Sequence, residues 1–365
     1  MLDNQPWHCA GTNAYYAAQV DGLSADDVDT LFKVHASKGV NVLRVFAHSD
    51  GCSSSVHTPI QPSLGVYNEA ALARLDLVLV TANKYNIRLI LPFTNFEPFL
   101  GGMLWYAQQV AGLNSTYSTV EKELFYQDPR AQEAYKNYVF MMLNRKNTLN
   151  GGVRYKDDPT VFAWELANEP HTSDGYEQSR GIAPGSIVSR WIQDMASYVK
   201  SIDSNHLLFT GEEGYRSNGP ATSSSMHEWV NNGLKGVDFP TNCADKNIDA
   251  CTVHVYPDNW GYLPEEVGTT YVDDFLADRA SFAINIARKP IIMEEYGMRH
   301  GYTASRDSIF DTLLTKGREL GYACSLVWSV NAGDFTRDGG SYVFKYGQDG
   351  STALQQELNK NYKFV

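Results

Sequence analysis

Residues 24–46 read SADDVDTLFKVHASKGVNVLRVF, a helix pattern running into a strand pattern across one glycine. Ser24 followed by Asp27 makes a capping box, with an acid in place of the usual Glu. Val28, Leu31, Phe32 and His35 then recur at i, i+3, i+4 and i+7, a single apolar stripe. Gly39 closes the helix, and Val42–Phe46 follows as a strand. The unit recurs: a second helix runs from Asn68 through Leu72, Leu75 and Leu79 to Tyr85, ahead of a strand at Arg88–Phe93. Further strands are predicted at His8–Ala10, Val161–Leu166, Leu207–Thr210, Cys251–Tyr256, Pro290–Glu295 and Ser325–Val330. Strands alternating with amphipathic helices imply a parallel sheet. Eight of them in 365 residues imply an α/β fold closed into a single (β/α)8 TIM barrel. A doubly wound open sheet would want a glycine-rich phosphate turn after an early strand, and none is present. No internal repeat, low-complexity tract or Pro/Ser-rich linker interrupts the pattern, so one domain spanning residues 1–365 is expected.

Composition narrows the classes of partner. The formal charge is -12, from 42 acidic and 30 basic residues, the wrong sign for nucleic acid. No stretch approaches the ~20 apolar residues of a membrane span. The 22 Tyr, 16 Phe and 7 Trp suit a well-filled core and equally a cleft with stacking faces for sugars. The cysteines are Cys9, Cys52, Cys243, Cys251 and Cys324, with no CxxC pair. Cys243 and Cys251 flank a polar loop and could be bridged. An odd count leaves at least one thiol free or paired between chains. The N-terminus carries no signal-peptide pattern, so the expectation is an extracellular protein whose leader is removed, with an intracellular one as the alternative. Asn114-Ser115-Thr116 is a glycosylation sequon.

In a barrel, chemistry sits where strands end and βα loops begin. The polar and aromatic residues at those positions are Arg44, Asn95, Asn168, Glu169, Glu212, Glu213, His254, Tyr256, Glu294, Glu295, Trp328 and Asn331. Along the sixth strand, Thr252, His254 and Tyr256 share one face; along the second, Arg44, Phe46 and His48 do. Glu294 and Glu295 are adjacent, so strict alternation lets only one of them face the interior. Glu169 ends the fourth strand and Glu295 the seventh, and these lie across the barrel mouth from one another. Two facing carboxylates in a sugar-sized cleft suit cleavage of a glycosidic bond, one as proton donor and one as nucleophile. Arg44 near Glu295 would keep that carboxylate charged. Asn168 could bond the sugar 2-hydroxyl, Tyr256 could donate to the nucleophile, and Trp328 could lie beneath the reacting ring. No GxSxG, HExxH or Walker motif is present, and no two histidines sit at i, i+4 on a plausible helix. A metal hydrolase barrel stays open, because carboxylates and His254 could bind a divalent ion, although Asp is nearly absent from the strand ends.

Trp164-Glu165-Leu166-Ala167-Asn168-Glu169-Pro170 resembles the Asn-Glu-Pro signature of glycoside hydrolase family 5. Glu295-Tyr296-Gly297 resembles its nucleophile signature, which selects Glu295 over Glu294. Arg44, His254, Tyr256 and Trp328 fall on further positions typical of that family. Within it, Ala10–Tyr16, Phe125–Arg145, Tyr155–Thr160 and His254–Trp260 are similar to fungal and plant β-1,4-mannanases. The resemblance implies a retaining double displacement with Glu169 as acid/base, on β-mannan or manno-oligosaccharides, with no cofactor and no metal; a monomer is expected. It adds Trp260 to the substrate-binding set. Three positions depart from the pattern: Phe46 and Phe96 stand where Trp is common, the latter near the glycone side. His171 stands where an Arg often reaches the leaving-group sugars. These raise two alternatives to an endo-mannanase: an exo-acting β-mannosidase or transglycosylase with an inserted loop from 93–112 or 211–246, and a non-catalytic carbohydrate-binding barrel.

Overall fold

Eight short strands make one parallel sheet: β1 (Cys9–Asn13), β2 (Val42–Arg44), β3 (Arg88–Pro92), β4 (Val161–Glu165), β5 (Leu207–Phe209), β6 (Cys251–Val255), β7 (Ile291–Tyr296) and β8 (Cys324–Val327). This computed structural model describes residues 9–51, 58–112, 121–302, 304–333 and 340–360. The sheet order is β5-β4-β3-β2-β1-β8-β7-β6, so β1 pairs with both β2 and β8 and the sheet curls. Its two ends meet through Asp249 N–H to the Leu208 carbonyl at 2.9 Å and the Thr210 and Thr252 hydroxyls at 3.1 Å, which brings the barrel close to closure. Helices follow the strands in turn: Ala25–Ser37, Glu69–Lys84, Pro129–Asn144, Ser186–Ile202, Phe239–Ala244, the helical run Val267–Leu276, Ala277–Ser281 and Phe282–Ala287, then Arg306–Leu320 and Ser351–Leu358.

Local sequence accounts for these elements. The Ser24 hydroxyl accepts from the Asp27 N–H at 3.1 Å while the Asp27 carboxylate accepts from Ser24 N–H at 2.8 Å. Val28, Leu31, Phe32 and His35 are all buried by that helix. The expected strands agree with the observed ones to within a few residues at their ends. Two differ usefully. The first continues to Asn13, which carries a polar side chain to the barrel mouth; His8 lies outside the described residues. The last ends at Val327, and Val330–Asn331 instead pairs with Phe344–Lys345.

The barrel interior is layered. Cys9, Val42, Ile90, Ala163, Phe209, Ala250, Ile292, Cys324 and Leu326 form an apolar plug contributed by all parts of the sheet. Two residues further along, at Arg44, Glu165 and Glu294, and four beyond Cys9, at Asn13, the interior turns polar, and all four side chains are buried. Disulfides join Cys243 to Cys251, the expected pair, and Cys9 to Cys324. The second joins residues that the β1–β8 register sets opposite one another, which no spacing in the chain reveals. Cys52 and the sequon at Asn114 lie outside the described residues.

Candidate active site

Arg44, at the end of β2, is wholly buried and organises the floor of the barrel mouth. Its Nε and Nη2 fork onto Glu165 at 2.8 and 2.5 Å, Nη2 also reaches Asn168 Oδ1 at 2.6 Å, and Nη1 donates to Glu295 Oε1 at 2.6 Å. Such charge-assisted, bidentate contacts fix geometry as well as charge. Residue 211 must be glycine for this to fit: it sits at φ 75°, and a Cβ there would overlap the Glu165 carboxylate.

The other Glu295 oxygen accepts from the Tyr256 hydroxyl at 2.5 Å. Gly297 makes room for that ring, since a Cβ on it would lie 2.7 Å from a Tyr256 ring carbon. His254 Nδ1 stands 2.8 Å from Glu169 Oε1 and 3.5 Å from Glu295 Oε2. Glu169 therefore faces Glu295 with an imidazole between their edges, and oxygens of the two carboxyls lie within 4.8 Å. Glu169 adopts φ 49°, a left-handed conformation that costs a non-glycine residue roughly 1–2 kcal/mol. Its N–H is anchored on the Gly211 carbonyl at 2.8 Å.

The electrostatics separate the two glutamates. Burial pushes Glu169 up to about 7, opposed by Arg44 and reinforced by Glu97 and Glu165. Burial also raises Glu295, but His254, Arg44 and the Tyr256 hydroxyl hold it down. Burial lowers His254 to about 4, so the ring is neutral near neutral pH. Glu169, His254 and Glu295 present ligand atoms close enough for a metal ion. A buried guanidinium at bonding distance from Glu295 opposes a second cation there.

The cleft holds about 860 Å³, within the range of sites that enclose small ligands. Rings line both of its ends. Tyr15, Phe46, Phe99 and Trp328 come from the β1, β2, β3 and β8 side, with Tyr15 and Trp328 stacked at 5.4 Å. His171, Tyr215, Trp229 and Trp260 come from the β4, β5 and β6 side, where Lys235 and Asp174 pair at 2.7 Å. The expected residues Glu169, Glu295, Asn168, Tyr256, Trp328, His171 and Trp260 all line this cleft, and Arg44 and His254 sit directly beneath it. The Asn168 amide is fixed by Arg44 on its oxygen and donates to Asn95 Oδ1 at 3.0 Å, leaving one N–H for a ligand.

Phe96 departs from expectation. It is only 2% exposed, with the His171 ring 3.7 Å away and Lys122 Nζ 4.1 Å from its centroid. It thus supports His171 from below rather than offering a sugar face, and it stands on the same side as His171. Strict alternation at Glu294 and Glu295 also fails. Val253 pairs with Met293 but His254 with Glu295, and on the other edge Met293 pairs with Ser325 but Tyr296 with Val327. The extra residue is a β-bulge, and it turns both carboxyls inward. Glu165, Asn13 and Glu213 were not singled out as binding residues. Glu165 and Asn13 were legible only as positions two residues beyond plug residues or at a longer β1.

A family model described as GH family 5 beta-mannosidase-like matches residues 1–316. Mannan endo-1,4-beta-mannosidase 1 of Arabidopsis thaliana is 35% identical over 312 residues, covering 83% of this chain and 70% of that protein. The structure of a hyperthermostable endo-1,4-beta-D-mannanase from Thermotoga petrophila RKU-1 superposes with a TM-score of 0.83 at 27% identity, covering 97% of this chain and 100% of that one. An endo-1,4-beta-mannanase from Rhizomucor miehei gives 0.81 at 28% identity, covering 99% and 97%.

Proposed function

The chain belongs to glycoside hydrolase family 5, in its β-mannosidase-like group, and we propose that it is an endo-β-1,4-mannanase with Glu169 as acid/base and Glu295 as nucleophile. The observation that carries this reading is the carboxyl pair at the mouth, with oxygens within 4.8 Å. A retaining enzyme sets its carboxyls about 5–5.5 Å apart, whereas an inverting one needs roughly 6.5–9.5 Å to admit water between them.

The chemistry runs in two displacements. Glu169, held protonated by burial, gives its proton to the leaving glycosidic oxygen. A Glu295 oxygen attacks the anomeric carbon as the carbon–oxygen bond breaks, and a mannosyl ester forms. Glu169, now a carboxylate, takes a proton from water, and that water displaces Glu295 from the same carbon. Arg44 and Tyr256 occupy one Glu295 oxygen each, which keeps the nucleophile ionised and aimed. Asn168 offers its free N–H toward the 2-hydroxyl, and Trp328 offers the ring face.

Endo action is supported by the distribution of rings. Faces on both sides of the carboxyl pair suit a chain bound across the cleft rather than at its end. The 93–112 and 211–246 segments contribute walls, through Glu97 and Phe99 and through Trp229, Leu234 and Lys235. Two disulfides suit an oxidising, extracellular setting. Among the described residues no helix is long and apolar enough to cross a membrane. A single domain and a monomeric state complete the proposal.

A product time course from mannohexaose and mannan, run beside cellohexaose, tests the reading. Mixed short manno-oligomers with a rapid fall in mannan viscosity are expected. Mannose or mannobiose alone, with viscosity preserved, would overturn endo action, and faster cleavage of cellohexaose would overturn the substrate.

A further inference from the structure

Asn13, at the end of β1, is 1% exposed, and its amide bonds to three other strands at once. Its Oδ1 accepts from Arg44 Nη1 of β2 at 3.2 Å. Its Nδ2 donates to the Glu294 carbonyl of β7 at 3.2 Å and to the Val327 carbonyl of β8 at 3.3 Å. β1 pairs with β2 and β8, so the bond to β7 reaches past a neighbouring strand. Glu294 is the residue that the register of β7 skips on both edges. One amide therefore ties the bulge that turns Glu295 inward to the cation that Glu295 meets.

A guanidinium has five N–H groups. In Arg44, Nε donates to Glu165 Oε2, Nη2 to Glu165 Oε1 and Asn168 Oδ1, and Nη1 to Glu295 Oε1 and Asn13 Oδ1. Five donors meet five acceptors. Asn13 takes the one Nη1 hydrogen that Glu295 does not, so the other is aimed at the carboxylate. Without Asn13 a charged N–H is buried with no acceptor, which is strongly disfavoured, and the guanidinium turns to recover one. The bulge loses its brace in the same event.

We infer that Asn13 is a positioning residue for the reaction: through Arg44 and the β7 bulge it sets where Glu295 stands and keeps that carboxylate on its cation. The inference rests on the proposed role of Glu295. Asn13 lies beneath the cleft, too deep to meet a sugar, so it acts through these two partners. The groups facing Glu295 are Arg44 of β2, Glu169 beyond β4, Glu213 beyond β5, His254 of β6, Tyr256 just after it, and Glu294 of β7. Arg44 is the one permanent cation among them. When its hold loosens, burial and the like charges prevail, and Glu295 takes up a proton more readily.

Two variants remove the amide. Asn13→Ser is too short to reach Arg44 or the Glu294 carbonyl, and Asn13→Leu fills the space and bonds nothing. Thr12→Val is the structural control. Thr12 Oγ1 donates to the Val327 carbonyl at 3.1 Å and accepts from Val330 N–H at 3.3 Å, so its loss disturbs the same strand ends and leaves Arg44 and Glu294 alone. Carbon NMR of labelled glutamate, read without substrate and assigned with Glu295→Gln, is expected to find Glu295 titrating higher in both Asn13 variants than in the parent or in Thr12→Val. On mannohexaose the acid limb of kcat/KM should move to higher pH. The variants should lose roughly 10–100-fold in kcat with KM nearly unchanged, the scale of a misplaced reacting group. In the parent, nitrogen NMR of labelled arginine should show the two Arg44 Nη groups as separate signals, since both are held. Averaged Nη signals in the parent would overturn the inference, as would a Glu295 titration unmoved in the Asn13 variants or moved equally by Thr12→Val. The NMR readings need no turnover. Near-normal activity of Glu295→Gln would instead remove the role of Glu295 on which the inference rests.

Discussion

Glu294 and Glu295 are consecutive in the chain, yet both reach the Arg44 guanidinium, at 3.8 and 2.6 Å. A regular strand would point them apart. The bulge in β7 lets the strand carry Glu294 inward by simple alternation from Ile292, then turn Glu295 inward as well. One cation therefore faces Glu165, Glu294 and Glu295 together, and burial, reinforced by the neighbouring Glu165 carboxylate, raises Glu294 well above the ordinary range.

Arg44→Ala should be costly to the fold as well as to turnover. Removing one partner of a buried ion pair typically costs about 3–5 kcal/mol, because the other charges are left unpaired. Urea unfolding of the variant should fall by that order. Arg44→Lys keeps the charge but loses the fork onto Glu165, and should recover only part of the stability.

Glu169→Gln should lower kcat by roughly 10²–10⁴-fold on mannan. With an aryl mannoside whose leaving group needs no proton, the first displacement should be nearly normal and the mannosyl ester should accumulate. A burst followed by slow turnover in stopped-flow absorbance is the signature. A variant equally slow in both steps on the aryl substrate would contradict the acid role.

The pH dependence of kcat/KM has a determined sign. Glu169 must carry its proton, so activity is lost as pH rises through about 7. Glu295 must be ionised, so activity is lost as pH falls through its own value, which burial raises above the ordinary 4.5. A bell with its basic limb near neutrality is expected. A profile flat through neutrality would remove Glu169 as the acid.

The two disulfides should contribute unequally. Cys9–Cys324 closes a loop of 315 residues and Cys243–Cys251 one of 8. On chain entropy these correspond to about 6 and roughly 2–3 kcal/mol. Replacing each pair by alanine and comparing thermal unfolding should give the larger loss for the first pair.

Much of this was legible in the chain, for physical reasons that differ by element. The capping box at Ser24 and the stripe from Val28 to His35 are local, so they read directly. So do His254 and Tyr256, two residues apart where β6 runs out into its loop. Glu295 was reached through the Glu-Tyr-Gly motif and not through periodicity, because alternation carried inward from Ile292 selects Glu294. A bulge depends on how two neighbouring strands pair, which no window along one strand contains. Phe96 was misread for a similar reason: its burial is decided by His171 and Lys122, which are distant in sequence. The Cys9–Cys324 bridge depends on β1 meeting β8, the closure of the barrel itself.

The most direct test of the account is covalent trapping of the nucleophile. The protein would be incubated with a 2-deoxy-2-fluoro-mannobioside bearing an activated leaving group, then digested and sequenced by mass spectrometry. A fluoromannobiosyl ester on Glu295 is predicted, lost on reactivation with a sugar acceptor. An ester on Glu294, or turnover of natural substrate with no ester on either residue and inversion at the anomeric carbon, would contradict it.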